Sequence, residues 1–306
     1  MSGASADELQ RRDVYTGPLV DGRRAPNGAA AKLRRQFQRF VVSQQEREEA
    51  ELERCIRTQP AVTRPNTVAL ISPKGGVGKT TCTFMAGNLL AGHLNARAIC
   101  VDANPDFGTL ARLAPDGRRS DRSLADLLAD ADRIGTAAEL TPYVSRMPTG
   151  LHVLGAPGDA ELTASLGPER YGELVALLGT FYEVVLLDLG TGVAGPLARF
   201  AIDRADQVVL VTTPEWVTST VVLEALSYVR HDHTTVAINK AATGSVSVDT
   251  IEDRFRAEHL RRAVTIPFDE RLATMLDSGT YSLDALGRRT RLAVKRLGLA
   301  LADQLV

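Results

Sequence analysis

Apolar positions in this chain fall into two kinds of run. Short, nearly continuous stretches rich in Val, Ile and Leu occur at Thr67–Ser72, Arg97–Asp102, Glu183–Asp188, Ala205–Glu215 and Thr235–Lys240, with a shorter one at Leu151–Leu154. Runs of this kind mark strands buried on both faces. Between them the apolar residues recur at helical spacing, from about Lys79 to Leu94, Pro168 to Leu178 and Trp216 to about Val229. A last helix is expected from about Leu283, where Leu286, Val294, Leu297, Leu301 and Leu305 repeat at near-helical intervals. Ser123, with Asp126 three residues on, reads as the N-cap of a short helix. Strands alternating with helices over 306 residues predict one large α/β domain plus an appendage.

The appendage is residues 1–66. Residues 1–31 hold few large apolar side chains among Gly, Ala, Asp, Arg and Pro, which predicts a flexible segment. Residues 32–66 read as a helical extension and linker. Leu33, Phe37, Phe40 and Val41 share one face, and Leu52, Cys55 and Ile56 form a second apolar patch. The first half is basic (Lys32, Arg34, Arg35, Arg39) and the second mostly acidic. Three uses stay open: packing on the body, docking a partner, or anchoring to membrane or nucleic acid, the last weakened by the acids. Gln59-Pro60 and Arg64-Pro65 then end any helix.

The first strand leads into Pro73-Lys74-Gly75-Gly76-Val77-Gly78-Lys79-Thr80-Thr81 and then a helix. Strand, glycine loop and helix in that order form a phosphate-binding context. Glycines let backbone N–H groups turn inward around oxygens, and the helix start adds unpaired N–H groups and partial positive charge. Gly75, Gly76, Val77, Gly78, Lys79, Thr80 and Thr81 are the expected nucleotide cradle. Lys79 is expected on the β- and γ-phosphates and the Thr80 hydroxyl on Mg²⁺. The general pattern asks for Gly at position 73, where this chain has Pro73, and a second lysine, Lys74, opens the loop.

Lys-Gly-Gly-Val-Gly-Lys-Thr-Thr resembles the deviant Walker A motif of the MinD/ParA family of P-loop ATPases. The resemblance covers about Thr67 to Val306 and implies a doubly wound, mostly parallel sheet with helices on both faces. It implies ATP and Mg²⁺ as cofactors and an ATP-dependent homodimer, in which Lys74 reaches the partner's phosphate. Asp188 ends a strand in the Walker B position and is expected to hold Mg²⁺ opposite Thr80. Leu189-Gly190-Thr191-Gly192 looks like switch II. Asp102-Ala103-Asn104-Pro105-Asp106 resembles switch I, usually D-x-D-P. Asn104 stands at the water-placing Asp; an amide can orient water but cannot take a proton as a carboxylate does. Asp106 is a nearby carboxylate that could substitute. The Ala205–Glu215 run is similar to the family's A-D-x-V-x-L-V-T-x-P-E. By the same likeness Asn239 reads the adenine edge, and Pro267 and Phe268 line the base pocket.

Asn104-Pro105-Asp106 and the helical extension look most like MinD-like ATPases associated with type VII secretion. DNA partitioning and positioning of a septum or flagellum are the other uses the resemblance offers. A weakly hydrolysing ATP-sensing scaffold is the alternative that Asn104 motivates. The partners implied are a second copy, an unidentified protein, non-specific DNA and, less so, a membrane surface touched by the final helix with Arg288, Arg289, Arg291, Lys295 and Arg296.

Composition adds limits. A formal net charge of −1 carries no polycation signature. Cys55, Cys82 and Cys100 are isolated, which fits a reducing cytoplasm and argues against a disulfide framework, a zinc site or an iron–sulfur carrier. No apolar run approaches the ~20 residues of a membrane span.

Overall fold

The computed structural model describes residues 44–104, 108–159, 162, 166–242, 248–260 and 262–305. The chain divides into two compact units, Met1–Glu48 and Glu49–Val306. Of the first, residues 44–48 are described and are helical. The predicted flexible segment 1–31 and the first half of the predicted helical extension lie outside the described residues.

The second unit is built on an eight-stranded sheet. Its strands are β1 (Asn66–Ser72), β2 (Ala98–Ala103), β3 (Ser145–Arg146), β4 (His152–Leu154), β5 (Val184–Thr191), β6 (Gln207–Thr212), β7 (Thr234–Ala241) and β8 (Ala263–Pro267). Their order is β3-β4-β2-β5-β1-β6-β7-β8. All neighbours pair in parallel except β3, which runs antiparallel to β4 at one edge. The helices are α1 (44–57), α2 (Lys79–His93), α3 (Leu124–Ala129), α4 (Ala137–Leu140), α5 (Pro168–Gly179), α6 (Pro196–Arg204), α7 (Trp216–Glu224), α8 (Val248–Ala257), α9 (Glu270–Asp277) and α10 (Arg288–Ala302).

Alternation along the central strands builds two cores, one on each face of the sheet. Val68 and Leu70 of β1 join Phe84, Leu89 and Leu90 of α2 and Val294, Leu297 and Leu301 of α10. Ala69 and Ile71 face the other way, toward Leu124 and Leu127 of α3, Tyr171 and Leu174 of α5, and Ile251 and Phe255 of α8. The sheet is therefore doubly wound, as expected. Helix α2 is buried along Cys82–Ala91, which is why its sequence lacks a polar stripe.

Two boundaries differ from the sequence reading. The last helix starts at Arg288, because Leu283–Ala285 forms a 3₁₀ turn and Leu286 and Gly287 are extended. The helix after β6 ends at Glu224 and tightens into 3₁₀ geometry over Ala225–Tyr228.

The extension's second half packs on the body. Lys295, whose side chain is only 3% exposed, donates to Glu49 Oε1 at 3.0 Å and Glu53 Oε1 at 2.6 Å. Arg291 grips both oxygens of Glu49 through Nε and Nη2. With Arg288 Nε 3.8 Å from Glu49 Oε2, three of the cations expected to be available to a nucleic-acid or membrane surface are thus paired with carboxylates. Among the described residues no helix is long and apolar enough to cross a membrane.

Candidate phosphate and nucleotide site

Carboxyl ends of parallel strands form the ligand edge of such a sheet. At the end of β1 the buried Ser72 hydroxyl donates to Lys74 O at 3.0 Å and accepts from Lys74 N at 3.2 Å, closing the first turn of the loop. Gly76 and Gly78 have φ of 75° and 90°, a region L side chains avoid. Gly78 is the N-cap of α2, and no side chain caps this helix. The orphan N–H groups at its start are those a phosphate would satisfy.

The loop is fastened from behind by β7. Asn239 Nδ2 donates to Val77 O at 2.8 Å, and Lys240 Nζ donates to Gly76 O at 2.7 Å. A Cβ on Gly78 would sit 2.2 Å from Asn239 Nδ2, so loop and strand touch. With its nitrogen on Val77, Asn239 has Oδ1, an acceptor, as its other polar side-chain atom. Beside it a cavity of about 100 Å³ is lined by Thr81, Asn239, Lys240, Pro267 and Phe268, with Phe268 58% exposed. A roomier cavity, about 340 Å³, opens at the opposite edge beside His93, Asn95 and Glu183 and holds none of these groups.

Asp188 in β5 is buried and faces α2, accepting from Thr83 Oγ1 at 3.4 Å. Burial pushes its carboxyl upward, against the Lys79 charge and the Thr80 and Thr83 hydroxyls. A buried carboxyl beside the Thr80 and Thr83 hydroxyls offers oxygen atoms of the kind Mg²⁺ takes. Asp102 lies level with Asp188 on the neighbouring strand. Burial foremost, with the Asp188 charge, pushes it up to about 7, while N–H groups of Leu110 and Asn104 pull it back. Those N–H groups donate at 2.9 Å and 3.3 Å, so Asp102 holds both ends of the segment after β2. Asn104 stands at the expected edge; Asp106 lies outside the described residues. Gly192, with φ 102°, donates its N–H to Ser72 O at 3.0 Å, which ties the switch II segment to the phosphate loop.

Lys74 is placed beside the loop but points to α7. Its Nζ lies 2.8 Å from Thr218 Oγ1 and 3.3 Å from Glu215 Oε2, and Thr218 in turn donates to Glu215 at 2.8 Å. Hydrogen bonds from Thr218 and then Lys74 hold the Glu215 carboxyl below its usual range.

No protein-family model matches the chain. It is 29% identical over 273 residues to the ESX-1 secretion-associated protein EspI of Mycobacterium tuberculosis, covering 86% of this chain and 40% of EspI. It is 30% identical over 148 residues to the septum site-determining protein MinD of Synechocystis sp., covering 48% of this chain and 53% of that one. The ParA family ATPase of Chlorobium tepidum superposes with a TM-score of 0.63 at 21% identity, over 76% of this chain and 96% of that one. Its fold is that of the MinD/ParA P-loop ATPases. It spans about two-fifths of EspI and about half of the Synechocystis MinD.

The structure brings together Lys79, Thr80, Asp188 and Asn239 around one loop. Sequence reasoning missed Lys240, Thr83, Asp102 as an anchor, and the Glu215–Thr218 grip on Lys74. The Asn-Lys pair ending a strand was the available signal for Lys240.

Proposed function

We propose that this chain binds ATP with Mg²⁺ and that nucleotide drives it into a homodimer, which switches a larger assembly on or off. The supporting observation is the loop after β1, with its uncapped helix start, Lys79, and Asp188 beside Thr80. The loop residues and Lys79 hold the phosphates, Thr80 and Asp188 hold Mg²⁺, and Asn239, Pro267 and Phe268 take the base. Bound Mg²⁺ supplies charge to the phosphate oxygens. Hydrolysis depends on placing a water, and Asn104 and Asp106 are the candidate placing groups; an amide at 104 favours slow turnover. The likeness to EspI makes a secretion assembly the favoured partner.

In the single chain Lys74 is tied to Glu215 and Thr218, so engaging a partner's phosphate requires that contact to open. Both side chains are exposed, so solvent screens the pair and it is weak beside a lysine–phosphate contact. Size analysis with and without saturating MgATP tests the reading. The wild type is expected to double in mass with ATP, and Lys74→Ala is expected to stay monomeric. A wild type that stays monomeric at saturating ATP would count against the switch.

A further inference from the structure

We propose that Lys240 is a positioning residue for the phosphate loop, its ammonium setting the direction of the loop's N–H groups. The inference rests on the nucleotide reading above and concerns how that site is kept ready.

Three observations carry it. Lys240 sits at the end of β7 with φ 57°, a left-handed conformation that is unfavourable for a residue other than glycine. The β7–β8 register slips between Ile238 and Ala241, around this residue. Strain held in place at a strand end is a mark of function when the side chain it aims has a defined target. Here the target is Gly76 O, 2.7 Å from Nζ. The preceding residue does the same to the next carbonyl, since Asn239 Nδ2 lies 2.8 Å from Val77 O.

A peptide unit is planar and trans, so its C=O and the following N–H point in opposite directions. Holding Gly76 O outward on Lys240 therefore turns the N–H of Val77 inward. Holding Val77 O outward on Asn239 does the same for the N–H of Gly78. An ammonium on the carbonyl also polarises that peptide and strengthens its N–H as a donor. Two successive side chains from a strand 162 and 164 residues downstream thus pre-set two successive donors of a glycine-rich loop that would otherwise sample many conformations.

The test compares Lys240→Met, which keeps the stem along the base cavity and loses the donor, with Lys240→Arg, which keeps charge and donor. MgATP affinity is measured by calorimetry on the full chain, and the melting temperature without nucleotide is recorded for each. Lys240→Met is expected to bind MgATP about 10-fold more weakly, the equivalent of about 1.4 kcal/mol. Lys240→Arg is expected to recover most of that loss, with all three proteins melting together. Lys240→Met binding within twofold of wild type would overturn the inference, as would an arginine variant no better than methionine. A wild type that binds no MgATP would overturn the nucleotide reading itself, so the two failures are distinguishable.

Discussion

Gly78→Ala is expected to lower MgATP affinity at least about 100-fold, roughly 2.7 kcal/mol, while the protein stays folded. Gly78 has φ 90° and ψ 33°, outside the well where L residues tolerate positive φ. Its new Cβ would stand 2.2 Å from Asn239 Nδ2. That nitrogen is the one holding Val77 O, so it can yield only by releasing the loop. The residue also opens α2, and a displaced Gly78 misdirects the N–H groups that would meet the phosphates. Calorimetry reads the affinity and far-UV circular dichroism the fold. Gly117→Ala is the control: Gly117 has open space where its Cβ would go, and both signals are expected to match wild type.

Glu49→Gln is expected to cost about 3 kcal/mol of stability at pH 7 and much less near pH 2, by the linkage between pKa and folding. The Glu49 carboxyl is held down to about 2, foremost by its hydrogen bond with Arg291 and also by Lys295, with burial opposing. The sign follows from the depression. The folded-state value lies below the unfolded one of 4.5, so the stabilisation is full above about 4.5 and is lost as pH falls through 2. The side chain is only 14% exposed, so solvent screens the pair weakly. Denaturant unfolding of both proteins at pH 7, 4 and 2.5 checks this. The expected result is two curves that converge on acidification; a constant gap would mean that the loss is one of packing.

Most of the architecture was legible because its signals are local. The run Thr67–Ser72 needed only its apolar, β-branched character to be read as a buried strand, and β1 lies inside the sheet between β5 and β6. Ser123 with Asp126 announced a capping box that the structure contains. Of the four helices not foreseen, α4 has one turn and α6, α8 and α9 run only 9, 10 and 8 residues, too short for an apolar face to stand out. The two-residue strand β3 is shorter than any alternation could reveal.

The site divides the same way. Lys74, Lys79, Thr80 and Asp188 were visible because phosphate binding fixes residue types at fixed spacing in one strand–loop–helix unit and one strand end. What holds them was not visible. The grip on Lys74 comes from residues 141 and 144 positions away, and the ammonium on Gly76 O from 164 away. Tertiary pairings of that separation leave no trace in local pattern. The partners of the final helix's basic residues are hidden for the same reason: the carboxylates of Glu49 and Glu53 lie over 240 residues upstream.

Titrating MgATP into the full chain by calorimetry addresses the central claim most directly. A saturable heat with one nucleotide per chain, absent in Lys79→Ala, is the expected result. No heat of association from the wild type at any attainable concentration would contradict it.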